Sequence, residues 1–500
     1  MSGTATRPAP MMIGAEHETR SGETLDVLTP STGEVIARVP AGDATDVDLA
    51  VARAKEAFAT WSRVPAAQRA KLINRLADLV DERLPELFEL ETSNNGRPIV
   101  ETRAQLSMAG GIYRYNAALA LTERGETFDA GPQHHGYLQR SPLGVCGVIV
   151  PFNHPFLIMA RGVAPALAAG NTVVVKPSEL TPLTALRFAR LAAEAGIPDG
   201  VVNVVTGLGP AVGAPLTRHP DVKKIEFTGG AGTGRQVAVA AAERFVSYSA
   251  ELGGKTPVLV FDDAGVEEAA RGCAFAAFIA AGQTCVCGSR ILVQESMYDA
   301  FVSALVEQTG AIGIGDPADR ATQMGPLISA AARDRSAAYT AIARDEGATI
   351  LTGGAPPRLD APFDRGFFFA PTIVGNATNG MRCAQEEIFG PVIVVATFRD
   401  EADAIRQAND IPFGLGAAIW TRDVARAHRV AGRIEAGMVW VNDHHRTAPA
   451  MPWGGVKDPG FGKQSGREAY DSFTTVKAVV VRTAPDPVDW YGSDPHDRLN

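Results

Sequence analysis

A carboxylate and a thiol stand near one another in this chain, in ELGGK (residues 251–255) and GQTCVCG (residues 282–288). Between Glu251 and Cys285 lie a buried-strand pattern at 257–261 and a helical pattern at 265–279. That is enough chain to leave a sheet and return to its edge, so the two side chains can meet in one cleft. A thiolate attacks a carbonyl carbon and forms a covalent intermediate, and a carboxylate beside a water can then activate that water to release the product. The plainer alternative is a buried packing cysteine and a solvated glutamate. The flanking Gly282 and Gly288 favour the chemical reading, because a loop with exposed backbone N–H groups lowers a thiol pKa and cradles an oxyanion.

Other motifs stand where strands should end. PFNHP (151–155) sets Asn153 between two prolines, where its amide can donate to a developing oxyanion; His154 reads as packing or tunnel lining. KPSE (176–179) can hold ribose hydroxyls through Lys176 and Glu179, with a carboxylate that repels a 2′-phosphate, or can be a solvated helix start. KIEFTGGAGTG (224–234) is a strand, a glycine turn and a helix of small residues. It suits a phosphate at a helix N-terminus without matching GxGxxG, and equally suits a plain tight turn. In QEEIFGP (385–391), Glu387 can hold a ribose and Phe389 can wall a flat ring, or the motif can be a loop before a strand. The nine histidines show no metal-ligand spacing, since His134–His135 and His444–His445 are adjacent pairs. No metal is expected.

The elements that must position these residues follow from periodicity. Apolar runs at 146–152, 172–176, 201–205 and 223–227 alternate with helical patterns at 156–169, 182–195 and 210–216. Such alternation predicts a parallel sheet covered on both faces. A second set runs from 257 through 291–293, 373–374 and 392–398, with helices near 299–308 and 401–408. Upstream, a strand pair is expected at 25–28 and 34–39, then helices at 43–63, from Pro65 to Asn94–Asn95–Gly96, and at 99–121. Residues 1–20 read as a mobile tail, and 136–140 as an exposed strand, either a surface hairpin or an arm for subunit contact.

With 500 residues, two or more domains are expected. A net charge of −9 with no basic stripe argues against nucleic acid as a partner. Residues 1–12 lack the apolar core of a secretory signal, and no run has the length of a membrane span. Five thinly spread cysteines fit a reducing, cytoplasmic setting better than a disulfide scaffold.

Taken jointly, PFNHP, KPSE, FTGG, ELGGK, GQTC, EEIFGP, NDIPFGL and PWGGVKDPG, in this order over about residues 20–482, resemble the aldehyde dehydrogenase superfamily, specifically its NAD(P)-dependent, non-acylating members. The resemblance implies an α/β fold of two open, Rossmann-like domains plus a β oligomerisation arm. The NAD-binding domain would comprise 1–124 and 143–251, the catalytic domain 252–455, and the arm 125–142 with 470–484, in a homodimer or homotetramer. It implies Cys285 as nucleophile, Glu251 as the base for water, and Asn153 with the Cys285 N–H around the oxyanion. Lys176, Glu179, Phe152, Gly229, Gly230, Glu387 and Phe389 would contact the cofactor, NAD rather than NADP because of Glu179. His154, Arg161, His444, His445, Arg446 and Trp453 would line the aldehyde tunnel, for a substrate that is aromatic or carries a polar or anionic group. The chain departs from the family pattern at Phe152, where Trp is frequent, at Gly230, where Ser is common, and at Gln464, where Glu is usual, which puts a proton relay there in question. Cys287 is either inert or a partner that protects Cys285 as a reversible disulfide. The competing readings are a CoA-acylating semialdehyde dehydrogenase, which Glu251 argues against, and a non-catalytic protein that keeps the fold.

Overall fold

The computed structural model describes residues 9–484 and 490–492. The first eight residues of the expected tail lie outside the described residues; the rest is no tail, since Met11–Ile13 is buried and pairs with Ala15–His17 and with Val202–Val204 at the edge of the first sheet.

Two large sheets organise the chain, as the alternation of patterns predicts. In the first, of eight strands, five are parallel, in spatial order Val202–Val204, Thr172–Lys176, Val145–Ile149, Val222–Thr228 and Ser247–Glu251. The β-branched run of Thr172–Lys176 is buried on both faces, which is why it reads as continuous rather than alternating. The order reverses beside Val145–Ile149, so a crevice opens at the carboxyl ends of the strands, where such sheets bind ligands. Register carries this to the site: Phe227 pairs with Ile149 and Thr228 with Glu251. The second sheet has seven strands; Pro257–Val260 lies near its centre, between Arg290–Gln294 and Gly416–Trp420.

Helix Pro155–Ala169 is buried all round and presses against the first sheet. Gly162 permits the approach, since a Cβ there would lie 2.9 Å from Val148 Cγ1. The expected strand at 136–140 is part of His134–Pro142, paired along its length with Thr474–Arg482.

Three expected helices differ in the structure. The helix from Pro65 divides at Arg83 into Ala66–Glu82 and Leu84–Asn95, because Pro85 lacks the N–H to continue the first segment and suits the start of the second. The third divides at Ser107–Met108 into Ile99–Leu106 and Ala109–Leu121. The Ser107 hydroxyl bonds back to Arg103 O at 2.7 Å, and Gly110 lets the second half pack so close that a Cβ would lie 2.3 Å from Asp81 Oδ1. The segment near 210–216 is a π-helical turn, Gly209–Gly213, leading into Ala214–Arg218. No helix among the described residues is long and apolar enough to cross a membrane.

Candidate active site

The carboxyl ends of three strands of the first sheet deliver the first group of side chains. Ile149 leads to Phe152, Asn153 and His154, while Thr228 and Glu251 end their own strands side by side. Cys285 comes from the second sheet by a different device. Helix Val266–Phe278 ends, and Ala280 (φ 53°), Ala281 (φ 52°) and Gly282 (φ 72°) turn the chain through the left-handed region. For the two alanines this costs roughly 1–2 kcal/mol each. Gly282 has no substitute there, as a Cβ would lie 2.3 Å from Gly390 O. Glu101 Oε2 accepts from Ala280 N at 3.0 Å and pins the turn.

Cys285, Glu251, His154, Arg161, His445 and Trp453 all wall one cavity of about 290 Å³. The Cys285 thiol is pushed up to about 12, by burial first and by Glu251 second, with Arg161 opposing. Glu251 is buried, and neither carboxylate oxygen has a hydrogen-bond partner among the described residues. Burial holds its carboxyl well above the usual carboxylate range, Glu226 adds to this, and Lys463 and Arg161 oppose it. Burial therefore disfavours the charged form of both groups. A carboxyl with free oxygens and a thiol with a guanidinium nearby thus share one cavity.

Asn153 is buried but does not wall this cavity. Its Nδ2 donates to Gln283 O at 2.9 Å, in the residue pair before the thiol, and leaves one amide hydrogen unused. Its Oδ1 is unpartnered among the described residues.

The cofactor candidates spread over both sheets. Lys176 is buried with Nζ 3.0 Å from Glu179 Oε2, at the strand end. The turn at Gly229 and Gly230 opens helix Ala231–Ala242, whose first turn has no side-chain cap, and a Cβ on Gly230 or Gly232 would meet nothing within 4 Å. Free N–H groups facing open space suit a pyrophosphate. Glu387 Oε1 accepts from Gly254 N at 3.0 Å, and Phe389, at φ 57°, meets Phe152 edge-on with ring centres 5.8 Å apart. These residues fit a dinucleotide: acceptors for ribose hydroxyls, an open N-terminus for phosphates and aromatic edges for a flat ring.

Of the candidate substrate residues, Arg161 stands out. It is buried, its guanidinium carbon lies 4.4 Å from the Trp453 ring centre, and it makes no ion pair or hydrogen bond among the described residues. Burial favours the neutral form of both His444 and His445. Burial pulls His444 down to about 4, and its Nε2 donates to Val286 O at 2.7 Å. Burial lowers His445 further, and its Nε2 donates to Ala276 O at 3.3 Å. Arg446 reaches the cavity mouth but is mostly exposed and bonds Asp443 Oδ2 at 2.9 Å. Cys287 is buried, its Sγ 3.2 Å from Ala277 O.

Sequence reasoning missed several cavity neighbours. Thr228 and Phe275 had only their positions at a strand end and on a helix to mark them. Gln464 was singled out for its residue type alone; its Nε2 bridges Glu226 Oε1 and Thr228 Oγ1, both at 2.9 Å, in a buried network that Lys224 joins at 3.4 Å from Glu226. Arg97, which reaches His154 from the turn between Leu84–Asn95 and Ile99–Leu106, carried no local signal.

Comparison with known proteins agrees with this geometry. The model of the aldehyde dehydrogenase family matches residues 17–479. Betaine aldehyde dehydrogenase of Bacillus subtilis is 40% identical over 484 residues, covering 96% of this chain and 98% of that protein. Betaine aldehyde dehydrogenase of Staphylococcus aureus, solved in complex with NAD+, superposes with a TM-score of 0.95 at 37% identity, over 98% of this chain and 97% of that one. PnpE, a protein known from Pseudomonas sp. WBC-3, solved in complex with nicotinamide adenine dinucleotide, does so with a TM-score of 0.94 at 40% identity, over 98% and 99%.

Proposed function

The chain belongs to the aldehyde dehydrogenase family, and from that premise we propose that it oxidises, with NAD, an aldehyde that carries a carboxylate or similar anionic group away from the reacting carbon. One observation carries the reading: Cys285, Glu251 and the unpaired Arg161 wall the same cavity. Betaine aldehyde, the named substrate of two relatives, carries a quaternary ammonium. A cation of that kind is drawn to an aromatic face, but here Arg161 already covers Trp453 with its own charge. Like charges in a buried space repel strongly, so the substrate preference of this chain is reversed.

In the proposed reaction the Cys285 thiol loses its proton to solvent water and the thiolate sulfur bonds the aldehyde carbon, whose C=O π bond opens to give a thiohemiacetal oxyanion. The spare Asn153 amide hydrogen and the Cys285 backbone N–H steady the oxyanion. A bound NAD would supply the hydride acceptor, and loss of hydride from the tetrahedral carbon would leave a thioester on Cys285. Ionised Glu251 takes a proton from water, the resulting hydroxide attacks the thioester carbonyl, and the C–S bond breaks to release the carboxylic acid and the thiolate. Lys176, Glu179, Gly229, Gly230, Glu387 and Phe389 hold the cofactor, with Phe152 against Phe389.

The eight-stranded sheet supports reading 1–124 with 143–251 as the NAD-binding unit, although its last strand, Gly460–Phe461, comes from beyond both segments. The seven-stranded sheet supports 252–455 as the catalytic unit. The paired strands His134–Pro142 and Thr474–Arg482, with Val476, Val480 and Val481 exposed, support an arm that joins subunits of a homodimer or homotetramer. The unpaired cysteines are in keeping with a cytoplasmic enzyme.

The test follows NADH formation with 4-oxobutanoate, butanal, benzaldehyde and betaine aldehyde, with and without CoA. A higher kcat/KM for 4-oxobutanoate than for butanal, unaffected by CoA, supports the proposal. A preference for betaine aldehyde, or a requirement for CoA, overturns it.

A further inference from the structure

Arg97 is buried, beyond the turn made by Gly96, and takes no part in the reaction above. Its Nη2 donates to Glu91 Oε1 at 2.8 Å, and its Nη1 reaches both Gln105 Oε1 and His154 Nδ1, the latter at 2.5 Å. Glu91 in turn accepts from Phe156 N at 3.2 Å, and Asn95 Nδ2 donates to Asn153 O at 3.4 Å. The segment around Arg97 therefore grips the entry to helix Pro155–Ala169 at Asn153, His154 and Phe156.

A guanidinium has donors and no acceptor. The atom of His154 that meets it must accept, so Nδ1 bears the lone pair, and a neutral ring then carries its hydrogen on Nε2. The ring walls the cavity, and Nε2 has no partner among the described residues. His444 and His445 are turned the other way, with Nε2 donating to backbone carbonyls. Of these three imidazoles, His154 is the one whose N–H is left for a ligand. His154 caps the helix on which Arg161 lies two turns later, so both side chains leave the same face. Burial first, and then the charges of Arg97 and Arg161 that face His154, disfavour the imidazolium, with the His445 ring beside them.

We propose that Arg97 is a positioning residue that locks His154 as an Nε2–H donor, and that this N–H, beside the Arg161 guanidinium, binds an acceptor oxygen on the substrate's anionic end. The inference rests on the reading of the substrate given above. It adds an uncharged, directional donor beside the guanidinium, and the pair favours a planar carboxylate over a spherical anion.

Two measurements test it. Isotope-labelled histidine in the full-length protein, with the His154 signal assigned by its loss in His154→Gln, reports the tautomer by NMR. An Nε2–H ring that stays neutral from pH 8 to pH 5.5 is expected. A proton on Nδ1, or titration in that interval, overturns the proposal whatever the substrate. Kinetics follow the ratio of kcat/KM for 4-oxobutanoate to that for butanal. His154→Phe should lower this ratio about tenfold through KM, the loss of one hydrogen bond to a charged acceptor, and His154→Gln, which keeps an N–H donor, should restore part of it. If wild type prefers 4-oxobutanoate and His154→Phe keeps the whole preference, the inference fails while the substrate reading stands. If wild type shows no preference, both fail. Arg97→Met combined with Glu91→Gln removes the contact that fixes the ring and should lower the ratio toward that of His154→Phe. An unchanged ratio in this folded variant removes Arg97 from the account.

Discussion

The Arg161 guanidinium carbon lies 4.4 Å from the centre of the Trp453 ring, in the cavity that also holds Cys285. The stacking fixes a flexible cation in one place without consuming its charge, so the guanidinium keeps its donors for a ligand. Arg161→Met should therefore lower kcat/KM for 4-oxobutanoate by about 10- to 100-fold, equivalent to roughly 1.5–3 kcal/mol for a hydrogen bond to a charged group. Butanal should lose much less. Arg161→Lys should recover little, since an ammonium neither stacks nor forks. Steady-state kinetics with the two aldehydes check this.

Glu251 must be ionised to activate water, yet burial and Glu226 hold its carboxyl well above the usual carboxylate range. Hydrolysis of the thioester, followed after the first turnover, should accelerate with rising pH through that elevated value. Glu226→Gln removes the neighbouring like charge and should move the rise to lower pH. A rise that stays in place would deny Glu226 its influence.

The same shift has a sign for stability. Folded Glu251 binds its proton more tightly than the unfolded chain does, so its contribution is fully present below about pH 4.5 and is lost as pH rises through the folded value. Glu251→Gln should therefore raise the urea midpoint at pH 8 relative to wild type and change it little near pH 4.

His444 works the other way. Its ring is held down to about 4, against an unfolded value near 6.5. The unfolded chain takes up the proton first, so stability present above pH 6.5 is lost as pH falls to about 4, by roughly 3 kcal/mol. His444→Asn should show a shallower fall in urea midpoint over that interval.

Glu179 is half-exposed and paired with Lys176 at 3.0 Å. Neutralising it in Glu179→Gln should raise the ratio of kcat/KM for NADP to that for NAD several-fold, since a carboxylate there repels a 2′-phosphate. An unchanged ratio would place the ribose elsewhere.

Much of this arrangement was legible in the residues themselves. Thr172–Lys176 and Pro257–Val260 read as buried parallel strands because both their faces are covered. Glu251 and Cys285 could be paired because the strand and helix between them return the chain to the same end of the fold. The helix breaks at Arg83 and Ser107 were harder to see, since the apolar period continues through both and only Pro85 and a back-bonding serine interrupt it. The tautomer of His154 was beyond reach. It depends on Arg97, far off in sequence and brought near only by the packing of one helical segment on another.

The most direct measurement is intact mass. Glu251→Gln protein is mixed with NAD and 4-oxobutanoate, and the mass of the chain is read after one turnover. The account predicts a stable adduct equal to the substrate acyl group, released by hydroxylamine, located on the peptide of Cys285 and missing when Cys285→Ala is added. No adduct despite NADH release, or an adduct that survives the loss of Cys285, would contradict it.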